Sequence, residues 1–186
     1  MPAVLLDRDG VINEDRPDYV RRWEEFRFLP RSLSALAALG RLGLRLAVVT
    51  NQSAVGRGLL APDTLDEIHR RMLAHCARSG AAIQGVFACP HAPWDGCRCR
   101  KPRPGLLFEA MAALGEPPER CVVIGDSHED LRAAEAAGVS FVLVRTGRGE
   151  ETLRHSDCRT RPPLFVARDL WEACQALSAH LELRAA

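Results

Sequence analysis

The sequence predicts an α/β protein, a three-layer, Rossmann-like fold with a mostly parallel central sheet and helices on both faces. Short apolar β-type runs alternate with helical patterns along the 186 residues. The runs are near-continuous rather than alternating, as strands buried on both faces should be. Polar and charged residues cluster just after them, at the strand ends where open parallel sheets hold ligands.

Taken in order, the predicted strands are Val4 to Leu6, Leu44 to Val49, Gly85 to Ala88, Cys121 to Ile124 and Phe141 to Val144. Residues 32–42 place Leu33, Leu36, Leu39 and Leu42 at helical spacing. Residues 63–79 put Leu65, Ile68, Met72 and Cys76 on one face, with Asp66 to Arg70 and Glu67 to Arg71 as i,i+4 ion pairs on the other. Further helices are expected over 104–114, stopped by Gly115, over 130–137, stopped by Gly138, and over 169–183. His69, His75 and His180 read as helix-surface residues and His128 as a helix-start residue. Cys76, Cys121 and Cys174 read as buried small apolar residues, and Cys158 as part of a polar loop with His155. The length fits one domain, residues 1–186, with an inserted loop at about 89–100.

The composition is that of a globular chain, with 47% apolar and 26% charged residues. A net charge of +1 gives no global reason to bind nucleic acid or a membrane surface. The early apolar run Ala3 to Leu6 is too short for a signal peptide or a membrane span, so a cytoplasmic protein is expected. Nothing demands a partner chain, so a monomer is expected. Arginine supplies 24 of the 25 basic residues; the one lysine is Lys101. Lysine is a compact point charge and arginine a planar fork, so Lys101 points to a place where a guanidinium would not serve.

The chemistry gathers at the strand ends. Asp7 and Asp9 follow the first strand, and Thr50, Asn51, Gln52 and Ser53 the second. Arg100, Lys101 and Pro102 precede the third helix, and Gly125, Asp126, Ser127 and Asp130 follow the fourth strand. Singly, each has a plainer reading: a surface turn, a helix cap, a solvated charge. Together they suit a phosphate held through a hard divalent cation, since carboxylates alone would repel it. One carboxylate can attack phosphorus to form an aspartyl-phosphate. Asp9, two residues beyond Asp7 and on the same side of an extended chain, can protonate the leaving alkoxide and later deprotonate water.

These motifs resemble those of the haloacid dehalogenase superfamily of phosphatases. "DRDG" (7–10) is similar to its first motif, "TNQS" (50–53) to its second, the lysine of "RKP" (100–102) to its third, and "GDSHED" (125–130) to its fourth. The resemblance implies Asp7 as nucleophile, Asp9 as general acid and base, and Thr50 and Lys101 as holders of the phosphoryl group. It implies Mg²⁺ bound by Asp7, the Asp9 main-chain carbonyl and Asp126, with Asp130 acting behind them. The chain leaves room only for a minimal cap, so loops should set specificity.

"CPHAPWDGCRC" (89–99) contains Cys89-x-His91, five residues, then Cys97-x-Cys99. Three thiolates and an imidazole complete a tetrahedral Zn²⁺ site with no open position, hence a structural one. This loop, with "DRDGVIN" (7–13) and "NQSAVGRG" (51–58), resembles the D-glycero-D-manno-heptose 1,7-bisphosphate phosphatase family. The related histidinol-phosphate phosphatases have a similar loop. The expected substrate is therefore a small phosphorylated sugar, with hydrolysis of the 7-phosphate of the heptose bisphosphate. Histidinol phosphate is the alternative, and an inactive zinc-stabilised binding module the alternative of another class. Arg100, beside a zinc ligand, is expected to bind the phosphate that is not transferred. Arg57 and Gln52 are further candidates for the sugar end, with Asn51 and Ser53 beside them. Arg98 and Arg103 read as solvated charges.

Overall fold

The computed structural model describes residues 3–185. Six strands form one sheet in the order β3-β2-β1-β4-β5-β6: β1 Ala3–Leu6, β2 Arg45–Asn51, β3 Ile83–Cys89, β4 Cys121–Gly125, β5 Ser140–Val144 and β6 Phe165–Ala167. Every neighbouring pair is parallel. The chain winds outward from β1 to β3 and then, past β1, from β4 to β6. The direction therefore reverses between β1 and β4, where a doubly wound sheet opens a crevice at its carboxyl ends.

β1 explains why the sheet is buried on both faces. Val4 and Leu6 belong to one apolar cluster, with Leu36 and Leu39 of α1 (Ser32–Arg41), Ile68 and Met72 of α2 (Pro62–Arg78), and Cys174 of α7 (Leu170–Ala185). Ala3 and Leu5 point the other way, into a cluster with Leu107 of α3 (Gly105–Leu114) and Leu131 of α4 (His128–Ala137). Burying each leucine side chain stabilises by roughly 1.5–3 kcal/mol, so four consecutive buried residues leave β1 little freedom to slip register.

The five expected strands and five expected helices are present, with shifts of one or two residues at most ends. β2 is longer than its apolar run: Thr50 and Asn51 are still paired, opposite Ala88 and Cys89 of β3. Besides two 3-10 turns, three elements were not expected. They are β6 and the short helices α5 (Gly149–Arg154) and α6 (Ser156–Thr160). Cys158 accordingly sits in a helix and is buried in the α3–α4 cluster, not in a polar loop. Glu67 bonds both Arg70 and Arg71, so Arg70 turns to Glu67 rather than to Asp66. His69 is buried, not on the surface.

The stretch between β1 and α1 carries only a 3-10 turn at Trp23–Glu25, which is the minimal cap expected. Among the described residues no helix is long and apolar enough to cross a membrane.

Candidate active site

The carboxyl ends of β1, β2 and β4 line a cavity of about 240 Å³ together with the loop before α3. Asp7, Asp9, Thr50, Asn51, Gln52, Ser53, Arg57, Arg100, Lys101 and Asp126 all contribute to its wall. The structure therefore brings together every residue expected at the phosphate site except Asp130, which lies directly behind.

Lys101 organises the floor. Its Nζ donates to Asp7 Oδ1 at 2.9 Å, Asp130 Oδ1 at 2.5 Å and the Val49 carbonyl at 2.8 Å. Burial disfavours the ammonium, but Asp130 and Asp7 outweigh it and hold the pKa above the usual lysine value. Three acceptors satisfy its three protons, geometry that suits a primary ammonium and not a guanidinium. Asn51 places the backbone: its Oδ1 accepts from Lys101 N at 3.1 Å and its Nδ2 donates to Lys101 O at 3.0 Å. Asn51, expected among the substrate binders, spends its amide on this clasp.

Asp126 is nearly fully buried, and Asp7, Asp126 and Asp130 bring carboxylate oxygens within 4.8 Å of one another. Burial, then repulsion from Asp130, pushes the Asp7 pKa up to about 7. Burial and repulsion from Asp7 raise Asp126 well above the ordinary carboxylate range. Two glycines press on Asp126. Gly10 (φ +79°) and Gly147 (φ +55°) are positions where an added Cβ would lie 2.1 Å from its Oδ2. Arg148 N donates to the same oxygen at 2.7 Å, and Thr146 Oγ1 donates to Gly10 O at 2.6 Å. The 146–148 loop was not anticipated from sequence, where it reads as an ordinary Gly/Arg turn. The donor set fits a hard divalent cation: hard carboxylate oxygens crowded against one another, in a site whose one nearby ammonium is already paired with Asp7 and Asp130.

Asp9 is held as a carboxylate. Oδ1 accepts from Arg8 Nη2 at 2.9 Å and Asn13 Nδ2 at 2.8 Å; Oδ2 accepts from Gln52 Nε2 at 2.8 Å. Burial would raise its pKa, but the Arg8 charge and the three donors outweigh it and hold the group below the usual range. With two donors on Oδ1, Oδ2 is the oxygen with capacity to carry a proton to a ligand. Gln52, expected at the sugar end, instead bridges Asp9 and Thr50, donating to Thr50 Oγ1 at 2.9 Å. Arg8 and Asn13 were not singled out from sequence.

Cys89, His91, Cys97 and Cys99 converge in the crossover between β3 and α3. Cys89 Sγ lies 3.6 Å from Cys97 Sγ, 3.3 Å from Cys99 Sγ and 3.6 Å from His91 Nδ1. Cys97 and Cys99 are 3.5 Å apart, and His91 Nδ1 is 3.2 Å from Cys99 Sγ. A tetrahedral site with Zn–S of ~2.3 Å has S···S edges of ~3.8 Å, so this cage is close to the right size, slightly contracted. The loop is tied to the cavity twice. Gln52 N donates to the Cys89 carbonyl at 2.7 Å, and Gly56 N to Pro90 O at 2.7 Å. Arg103, expected to be solvated, donates to the carbonyls of Gly96 and Cys97 and so braces the cage. Arg57 is exposed and lies over the Trp94 ring, 4.9 Å from its centroid. Arg100 reaches the cavity with a buried Nη1 that has no protein partner. Ser53 is buried in the wall beside Gln52.

Known proteins resemble this chain in sequence and fold. A family model described as HAD-hyrolase-like matches residues 98–173. The D-glycero-beta-D-manno-heptose-1,7-bisphosphate 7-phosphatase of Pseudomonas putida is 43% identical over 153 residues, covering 82% of this chain and 87% of its own. The enzyme of that name from Neisseria meningitidis serogroup A is 39% identical over 153 residues, covering 82% of each chain. Among solved structures, the D,D-heptose 1.7-bisphosphate phosphatase from B. bronchiseptica, complexed with magnesium and phosphate, superposes with a TM-score of 0.89 at 36% identity, covering 97% of this chain and 99% of its own. By fold, by motif order and by identity over four-fifths of its length, this chain belongs to the D-glycero-beta-D-manno-heptose-1,7-bisphosphate 7-phosphatase family of the haloacid dehalogenase-like hydrolases.

Proposed function

We propose that the chain, acting as one phosphatase domain over residues 1–186, hydrolyses the 7-phosphate of D-glycero-D-manno-heptose 1,7-bisphosphate through an aspartyl-phosphate on Asp7. The observation that carries this reading is the Asp7–Lys101 contact of 2.9 Å at the floor of a cavity whose wall also holds Asp9. Asp7 Oδ attacks phosphorus as the P–O bond to the sugar breaks. Lys101, exchanging its contact with Asp7 for a phosphoryl oxygen, and Thr50 hold the phosphoryl oxygens and offset their charge. Asp9, which takes up a proton on Oδ2 as the negatively charged phosphate enters beside it, gives that proton to the departing sugar oxygen, which leaves as an alcohol. In the second half-reaction Asp9 takes a proton from water as that water attacks phosphorus. The bond from phosphorus to Asp7 breaks, inorganic phosphate leaves and Asp7 is restored.

Asp7 and Asp126, with the main-chain carbonyl of Asp9, would hold Mg²⁺, which supplies charge neutralisation on the phosphate oxygens when bound. Cys89, His91, Cys97 and Cys99 would hold a structural Zn²⁺. Asp130 acts through Lys101. Arg100 binds the phosphate that is not transferred; its buried, unpartnered Nη1 supports that role. Arg57 and Ser53 serve the sugar end. The enzyme works as a cytoplasmic monomer on a soluble substrate, without nucleic acid or membrane.

The test is turnover of heptose 1,7-bisphosphate, histidinol phosphate and other phosphate esters with and without Mg²⁺. The bisphosphate should have the highest kcat/KM, and Asp7→Asn should abolish its turnover while the protein stays folded. A preference for histidinol phosphate would replace the substrate, and substantial activity in Asp7→Asn would remove the nucleophile.

A further inference from the structure

Arg8 stands between the two acids of the first motif and adds to the cavity wall, yet its guanidinium is committed to protein groups rather than left for a phosphate. Its side chain is 1% exposed. Nη2 donates to Asp9 Oδ1 at 2.9 Å, Nη1 lies 3.1 Å from His69 Nε2, and Nε has no partner. The guanidinium carbon lies 5.9 Å from the Phe26 ring centroid. A guanidinium only donates, so His69 Nε2 carries the lone pair and its proton sits on Nδ1. His69 is itself buried on α2, and burial first, then the Arg8 charge, pushes its pKa down to about 3. It therefore remains a neutral acceptor across the working pH range.

As a device for stability this arrangement is poor. A buried arginine with an unsatisfied Nε and one neutral partner costs more than an apolar side chain of similar size. What it achieves is directional. Among the described residues, the carboxylate its guanidinium pairs with is Asp9, and the histidine fixes the other end of the guanidinium plane. We propose that His69 and Arg8 are positioning residues that hold the Asp9 carboxylate in the orientation that presents Oδ2 to the leaving-group oxygen. The inference rests on the reading of Asp9 as the proton donor. His69, from a helix some sixty positions along the chain, is thereby coupled to the chemistry without touching the substrate.

The test compares two esters. An aryl phosphate such as p-nitrophenyl phosphate loses a stabilised phenolate and needs no proton. An alkyl phosphate such as glycerol phosphate loses a poor alkoxide and does. Because kcat/KM covers only the steps up to leaving-group departure, the alkyl-to-aryl ratio of kcat/KM isolates proton donation. His69→Leu should lower that ratio roughly 10–100-fold, part of the ~10²–10⁴-fold that a general acid supplies. His69→Gln, whose amide oxygen can accept from Arg8, should restore most of it. Arg8→Lys, which can reach one of the two partners but not both, should lower the ratio as well and serves if His69→Leu does not fold. Asp9→Asn on the same esters checks the underlying reading. If Asp9→Asn lowers the ratio and neither Arg8→Lys nor a folded His69→Leu does, the positioning role is overturned while the acid stands. If Asp9→Asn leaves the ratio unchanged, the acid itself is misassigned.

Discussion

Asp130→Ala is the perturbation that weighs most heavily on the buried charge network. Asp130 is fully buried, and its carboxylate accepts from Lys101 Nζ at 2.5 Å, from Ser127 Oγ at 2.5 Å and from Ser127 N at 3.1 Å. Ser127 Oγ in turn accepts from Asp130 N at 3.2 Å, completing a capping box at the start of α4. Removing one partner of a buried ion pair costs about 3–5 kcal/mol. Losing half of the capping box adds about 0.5–1 kcal/mol. Two features reduce the sum. Lys101 keeps Asp7 and the Val49 carbonyl, and relief of repulsion from Asp130 favours both Asp7 and Asp126 as carboxylates. The expected loss is therefore near the lower end, about 3 kcal/mol, or ~6–12 °C in Tm for a chain of this size. Lys101, freed from one side, would swing toward Asp7 and misplace the nucleophile, at a cost on the order of 10²-fold in kcat. Thermal melts and steady-state kinetics on purified protein measure both. Asp130→Asn, which keeps an oxygen for the Ser127 backbone but loses the charge, should fall between. An Asp130→Ala variant within ~1 kcal/mol of the parent would falsify the claim that this triad holds the floor of the site together.

The remaining predictions concern metal, pH and specificity. Metal analysis should find about one zinc per chain; Cys97→Ser should lose it, lower the Tm and reduce activity through the loop that carries Lys101, and a zinc-free protein with full activity would dismiss the site. The raised pKa of Asp7, about 7, and that of Asp126 mean that the cation-free fold binds protons that the unfolded chain has already released, so these groups cost stability as pH rises through the window from the ordinary carboxylate value toward 7. Mg²⁺ competes with those protons, so the Tm increment on adding it should grow from about pH 5 to about pH 8 and flatten in Asp126→Asn; an increment independent of pH would place the cation elsewhere. Arg100→Ala should raise KM for a bisphosphate much more than for a simple monophosphate ester. Equal losses would assign Arg100 to the transferred phosphate instead.

The sequence by itself determined the layered architecture, because burial on both faces forces near-continuous apolar strands, as in Val4 to Leu6 and Cys121 to Ile124. It also determined where the chemistry would gather, since Asp7, Thr50 and Asp126 all follow such runs. The four-ligand cage was legible because its ligands are close in the chain and their spacing carries the geometry. Short elements without a periodic signature were not legible: β6 has three residues, and α6 has five. His69 was within reach, standing four residues after Leu65 and three before Met72 on the apolar stripe of α2, but its polarity argued for the surface. Only the tertiary structure could decide that it has a buried partner in Arg8. The same holds for Gln52, whose amide turns to Asp9 and Thr50, and for Asn51, whose amide turns to the Lys101 backbone. Spacing reports which residues reach a strand end. It does not report which of several donors there points at the ligand and which at another side chain, because that depends on contacts between segments about forty to sixty residues apart, set by packing rather than by local pattern.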